Sequence, residues 1–447
     1  MSENIFEILA SVTLKKGEGR TIKSGGDWIY DNEIDFVEKS LHFENGGMVR
    51  VNDFDGYFMG YGFINLNSKI RVRMMKRYDE TPVDSEYIKN LLTSAWQLRK
   101  AVTDISCCRI VFGEADGIPG FVADKYEDVI VFESLALGTD RLKDIILEEL
   151  ADILSMDVIK INRIFERSNA PVRKKEGMAP STGWYWLRPD TNPSWDAGKQ
   201  MAAEHEDYVR TNADHEDFDP LSHVIIKENG VRYDVDVRDG QKTGFFLDQK
   251  YNRLSVQNLV RRLTDNGLRG MSVLDCFTHM GTFALNAALG GADFVTGVDI
   301  SELAIRQARK NAELNNLSDR TEFVTADVLD YLPSLIDMGR SYDMVILDPP
   351  AFTKSRTATR HAINGYREIN TRGMKLVKTG GYLLTASCSH FMTRDLFEKV
   401  IYESARASHV TLQRLEFRQQ APDHPVKVCA DENSDYLKFY IFRVLRA

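Results

Sequence analysis

The chain has 447 residues, 43% of them hydrophobic, 28% charged and 10% aromatic, the make-up of a globular protein with core enough for roughly two to four domains. Its five cysteines, of which only Cys107 and Cys108 are close in sequence, exclude a disulfide framework and a zinc-ribbon spacing. The formal charge of −9 argues against nucleic acid only in bulk: residues 190–219 hold nine acids against Lys199 and Arg210, a local −7, which leaves −2 for the rest.

In chain order, the N-terminal stretch has early acids and no apolar segment flanked by basic residues, and no run approaches about 18 apolar residues. The expectation is a cytoplasmic protein with no membrane partner. Residues 1–80 read as short strands joined by glycine turns, a small β-barrel, with the basic run "KIRVRMMKR" (69–77) as its candidate cationic surface. The period changes in 81–188, where "DSEYIKNLLTSAWQLRKAV" and "RLKDIILEELADIL" are amphipathic helices around two apolar runs, a separate α+β domain. The acidic stretch, with boundaries drawn at 189–221, lacks apolar periodicity and reads as a linker or insertion with no assigned chemistry. From 222 to 447, a hairpin turning at Asn229-Gly230 precedes apolar strands alternating with amphipathic helices, the pattern of a doubly wound α/β sheet. Two closing strands with only a loop between them predict an antiparallel terminal hairpin on the sheet edge.

Ligands of a doubly wound sheet bind beyond the carboxyl ends of its strands. Here Asp275, Asp299, Asp327, Asp348 and Cys388 each fall at or near such an end, in chain order, and right-handed crossovers bring those ends to one edge. Asp299 is placed to accept from ribose hydroxyls and Asp327 to read an adenine amino group. The turn "DCFTHMGTF" keeps Gly281 but lacks the glycine fingerprint for a pyrophosphate, which points to S-adenosylmethionine. Phe277 in that turn, Gln249 at the end of "FFLDQ" and Asp348 complete the candidate cofactor set. "DPPAF" (348–352) combines a rigid extended backbone with Phe352, a platform for a planar base.

These blocks carry a resemblance. "GQKTGFFLDQKYNR", "VLDCF…GTFA", "LDPPAF", "TASCSH" and "QQAPDHP" resemble, in order, those of the bacterial 23S ribosomal RNA cytosine-5 methyltransferase family, ribosomal RNA large subunit methyltransferase I and its relatives. "GRTIKSGGDWIYDNEI" and "GYFMGYGFINLNSKIRVRMM" resemble the family's PUA domain, an RNA-binding barrel. The resemblance implies a Rossmann-like class I methyltransferase fold, ribosomal RNA as partner, and Cys388 as catalytic nucleophile with Asp348 beside it; a homodimer is compatible with it. Residues 190–219 depart from the family pattern.

Cytosine C5 needs help to take a methyl group: a thiolate adding to C6 makes C5 enamine-like. Cys388, at a polar strand end with Ser387, Ser389 and His390 around it, is the candidate thiolate; Cys276 reads as core and Cys429 lies in a loop. Three other readings stand beside this one. Methylation of an exocyclic amino group would leave Cys388 structural. A nicotinamide oxidoreductase is opposed by the missing fingerprint, and a non-catalytic RNA-binding factor by the intact Asp299, Asp348 and Cys388.

Overall fold

A computed structural model describes residues 5–190, 194–212, 219–352, 359–428 and 434–446. The chain divides into two compact units, one of residues 1–226, 235–247 and 422–434, the other of 227–234, 248–421 and 435–447.

The first unit contains two sheets. Six strands, Ile8–Leu14, Trp28–Tyr30, Ile34–Lys39, Met48–Asn52, Phe58–Ile64 and Ile70–Arg77, form the predicted N-terminal sheet around Val12, Leu14, Val49, Val51 and Val72. Five more, Cys107–Phe112, Phe121–Tyr126, Val129–Ser134, Arg163–Ser168 and Ser181–Leu187, make the α+β sheet, with helices Ser85–Val102 and Leu137–Met156 contributing Leu92, Trp96, Ile146 and Leu150 to its core.

Two expectations change here. The basic run 69–77 is not a free cationic surface: Arg73 pairs with Glu114 and Glu176, Lys76 with Asp79, and Arg77 with Asp27. Arg73 and Arg77 thus meet acids from elsewhere in the chain and Lys76 an acid three residues on, while Lys69 is exposed and Arg71 half-buried. The acidic stretch is also more than a linker, because Trp195–Thr211 is a helix capped by Ser194, whose side chain accepts from Ala197 N. Its buried face is built from Gly198, Ala202 and Val209, residues too small and too few to show as an apolar period. Gly198 is required by contact, since a Cβ there would lie 2.0 Å from Trp186 Nε1. The outer strand Ser181–Leu187 gives its Trp184 N–H to Glu206 of this helix at 2.7 Å. At the opposite rim, Arg109 N donates to Asp423 Oδ2 at 3.1 Å, so the "PDHP" segment closes that side.

The second unit is the doubly wound sheet. Numbered within this unit, its strands are β1 (Ser272–Cys276), β2 (Phe294–Asp299), β3 (Thr321–Thr325), β4 (Tyr342–Leu347), β5 (Val377–Ser387), β6 (Thr411–Arg418) and β7 (Lys438–Leu445). Its helices are α1 (Lys250–Asp265), α2 (Thr282–Gly290), α3 (Glu302–Leu314), α4 (Val328–Asp337), α5 (Thr359–Leu376) and α6 (Arg394–Ala407). The order is 3-2-1-4-5-7-6, with β1 to β5 parallel and β7 antiparallel to both neighbours, as the terminal-hairpin reading requires. The predicted hairpin at Asn229-Gly230 joins His223–Glu228 to Val231–Asp236.

Glu228 of that hairpin and Arg253 of α1 form a two-pronged buried pair at 2.6 and 2.9 Å, with side chains 0% and 1% exposed. Arg253→Met alone should lower unfolding free energy by about 3–5 kcal/mol, because a buried carboxylate loses its partner. Arg253→Met with Glu228→Leu should recover much of that loss, both read from urea titrations.

Candidate active site

The site lies at the carboxyl edge of the second unit, and β1, the central strand of that edge, starts it. Asp275 is fully buried; its Oδ2 accepts from Thr278 Oγ1 at 2.5 Å and from Ala284 N at 2.9 Å. Those bonds fold residues 277–281 back toward α2, with positive φ at Phe277, His279 and Gly281. Gly281 suits its place twice over: φ is 82°, and an added Cβ would press against Phe323 at 3.0 Å. Asp299, ending β2, receives His279 N on one oxygen and Ser301 N on the other, each at 2.9 Å. Turn and acid thereby fix one another. Asp327 is exposed and caps α4 through Leu329 N at 2.8 Å.

Beyond β4, Gln249 Nε2 donates to Asp348 Oδ1 at 3.0 Å, while Asn252 Nδ2 steadies the Gln249 oxygen at 2.6 Å. These two predicted residues, distant in sequence, therefore meet. Cys388 follows the neighbouring parallel strand β5, half-buried, with Sγ 3.9 Å from the Pro349 carbonyl oxygen. Cys276 is the core residue it was read to be, its thiol pushed well up by burial. Cys429 lies outside the described residues.

The flanking residues behave differently from expectation. Ser387 does not serve Cys388; its hydroxyl is buried and donates to Tyr366 Oη at 2.9 Å. Phe352 packs edge-on against Tyr366, ring centroids 4.8 Å apart, so its ring is partly engaged by α5. His390 contacts Phe391 and has a buried Nδ1 without a partner among the described residues. Two neighbours escaped the sequence reading. Tyr366 lies within electrostatic reach of both Cys388 and Asp348, and burial raises its hydroxyl well above the ordinary value. Lys438 sits on β7 opposite Ser387, and its signal was a single lysine inside the apolar run "YLKFYIF".

The electrostatics of the edge are dominated by acids. Burial lifts the Asp275 carboxyl from 3.8 to about 7, and nearby Asp348 and Asp299 add to the rise against the Thr278 and Ala284 hydrogen bonds. Among the described residues its buried Oδ1 has no hydrogen-bond partner, and a cationic ammonium is the group that such an oxygen fits. With Asp299 at the next strand end, these donors and acceptors suit an amino-acid-bearing nucleoside.

Comparison with known proteins bears on the family and the fold. A family profile described as S-adenosylmethionine-dependent methyltransferase matches residues 187–437, and a PUA-like domain profile matches 12–77. Ribosomal RNA large subunit methyltransferase I of Aliivibrio fischeri (strain MJ11) is 33% identical, over 97% of this chain and 99% of its own. The protein of the same name from Shewanella frigidimarina is likewise 33% identical, with the same coverage. A candidate S-adenosylmethionine-dependent methyltransferase structure from Streptococcus mutans superposes with a TM-score of 0.72 at 20% identity, over 98% of this chain and 100% of that one. A second solved methyltransferase chain, complexed with SAH, gives 0.73 at 19% identity with equal coverage. The chain is an S-adenosylmethionine-dependent methyltransferase.

Between pH 4 and 7 folded Asp275 holds a proton that the unfolded chain has released, so its contribution to stability falls as pH rises through that window. Asp275→Asn should remove that component, flattening the pH dependence of urea unfolding over this range. An unchanged slope would place the Asp275 carboxyl back near its ordinary value.

Proposed function

The chain belongs to the ribosomal RNA large subunit methyltransferase I family, and from that premise we propose that it methylates carbon 5 of a cytosine in large-subunit ribosomal RNA through a covalent adduct on Cys388. The observation that carries this reading is the pairing of strand ends: β4 delivers Asp348-Pro349-Pro350 and its parallel neighbour β5 delivers Cys388, with Sγ 3.9 Å from the Pro349 carbonyl.

The cofactor, when bound, supplies an electrophilic methyl group. In this reading Asp275 and Asp299 hold its polar ends, Phe277 and Gly281 line it, and Asp327 lies toward the adenine. Gln249 orients Asp348, which faces the polar edge of the cytosine. The Cys388 thiolate adds to C6, the pair of electrons moves to C5, and C5 becomes the nucleophile for the methyl group. Loss of the C5 proton then expels the thiolate and restores the ring. C6 is unreachable inside a helix, so the target base is single-stranded or flipped.

We assign RNA binding to the barrel of residues 1–80, with 81–188 as a separate α+β domain, 189–221 as an insertion and 222–447 as the methyltransferase domain. Because Arg73, Lys76 and Arg77 are committed to acids, Lys69 and Arg71 are the cations of the basic run available to phosphate. A cytoplasmic setting fits the sparse cysteines, and among the described residues no helix is long and apolar enough to cross a membrane. A homodimer is part of the proposal, to be read by light scattering.

Three outcomes are expected. Asp299→Ala should weaken cofactor binding by about 1.5–3 kcal/mol, the loss of a charged hydrogen-bonded contact, measured by calorimetry. RNA carrying 5-fluorocytosine at the target cannot lose a C5 proton and should trap a covalent complex that vanishes in Cys388→Ala. If that variant methylates normally, methylation of an exocyclic amino group takes the place of this mechanism. Full-length RNA affinity should fall steeply with salt, and Lys69→Ala with Arg71→Ala should make that dependence shallower, whereas a flat response would remove the barrel from the interface.

A further inference from the structure

Lys438 stands out among the charged groups of the site edge. It opens β7, the strand antiparallel to β5, and its register partner is Ser387, the residue before Cys388. The residue is 4% exposed. Its Nζ donates to the Ser389 carbonyl at 2.8 Å and to the Tyr436 carbonyl at 2.9 Å, so two of three N–H donors are spent on backbone. Among the described residues it forms no ion pair with a carboxylate. A buried ammonium whose hydrogen bonds go to neutral carbonyls is costly, and such a charge is kept where anions lie near it, here Asp435 and then Cys388 when ionised.

We propose that Lys438 is the counter-cation of Cys388, a positioning residue that fixes the turn after β5 and favours the thiolate over the thiol. The proposal rests on the reading of Cys388 as the nucleophile and adds what makes it one. The flanking contacts support it. The 387–390 turn is clamped on both flanks of Cys388, by Tyr366 on the Ser387 hydroxyl and by Lys438 on the Ser389 carbonyl. Cys388 and Asp348 lie within electrostatic reach of Tyr366, and Asp435 and Cys388 within electrostatic reach of Lys438. Asp348 at the β4 end and Asp435 before β7 oppose an added negative charge, Tyr366 is held neutral, and His390 lies two residues further along. Of these described groups, Lys438 is the one that brings an ammonium. Burial lowers that ammonium to about 8 while Asp435 and Cys388 pull it upward, so it is still mostly charged near neutral pH. A cation beside a cysteine lowers the thiol's own titration, and the attacking species is the thiolate.

The test is the titration of Cys388 itself in the full-length protein, by iodoacetamide alkylation across pH and mass spectrometry of the Cys388 peptide. The wild-type thiol should titrate at least about one pH unit below the ordinary value of about 8.5. Lys438→Met should move the profile upward by about a unit, slowing alkylation at neutral pH roughly tenfold, and Lys438→Arg should keep most of the wild-type behaviour. Identical profiles for wild type and Lys438→Met, or an arginine variant that behaves like methionine, would overturn the proposal. If Lys438→Met does not fold, the wild-type titration decides alone, since a value at or above about 8.5 is incompatible with a counter-cation. Methyl transfer by Cys388→Ala reports on the nucleophile assignment instead, so failure of that reading and failure of this one appear in different measurements.

Discussion

The whole carboxyl edge of the methyltransferase sheet depends on one buried acid. Asp275 stands at the end of β1, where the strand order divides into 2-3 on one side and 4-5 on the other, and there the crossovers leave a crevice. Its carboxylate holds a hydroxyl and a backbone N–H of the following turn, which forces three consecutive alternate residues into positive φ and presents His279 N–H to Asp299. Without that anchor the turn would have no reason to fold over the sheet, and the acid of β2 would have nothing to meet. The arrangement costs charge on Asp275, which burial disfavours first and the nearby Asp348 and Asp299 disfavour further.

A second organising feature is the division between rigid and adjustable parts. Asp348 and Cys388 are carried on adjacent parallel strands whose register, Leu347 opposite Thr385, leaves no freedom to separate them. Their orientation is set from outside the two strands, by Gln249 and its Asn252 support on one, and by Tyr366 and Lys438 around the other. A pair of side chains built this way keeps its spacing through backbone hydrogen bonds and its aim through neighbouring side chains.

Much of this was legible in the residues because apolar strand patterns are loud and acids at their ends are conspicuous. The five parallel strands, the antiparallel closing pair and the Asn229-Gly230 hairpin were all visible as periodicity and turn chemistry. What escaped has physical reasons. The helix 195–211 packs through Gly198 and Ala202, which register on no hydrophobicity pattern although they permit close approach to Trp186. "KIRVRMMKR" looked like a phosphate surface because a sequence shows charges but not their partners, and Glu114, Glu176 and Asp27 come from far along the chain. Ser387 was read beside Cys388, yet strand alternation turns it the other way, toward α5. Lys438 is the converse: its neighbours hid its role, since a lone lysine in an apolar strand resembles an edge residue until the partner strand is known.

The two side-chain carboxylates at the rims of the five-stranded sheet carry a consequence for the protein in a crowded cell. An outer strand with unspent N–H groups is a template on which another chain can add itself, and repeated addition is how sheets grow into insoluble material. Glu206 meets one such N–H on Ser181–Leu187 and Asp423 meets one on Cys107–Phe112, each placing a negative charge where a stranger's backbone would have to dock. The acidic helix and the proline-bounded "PDHP" segment thus act as stoppers against a sixth strand on a sheet of five.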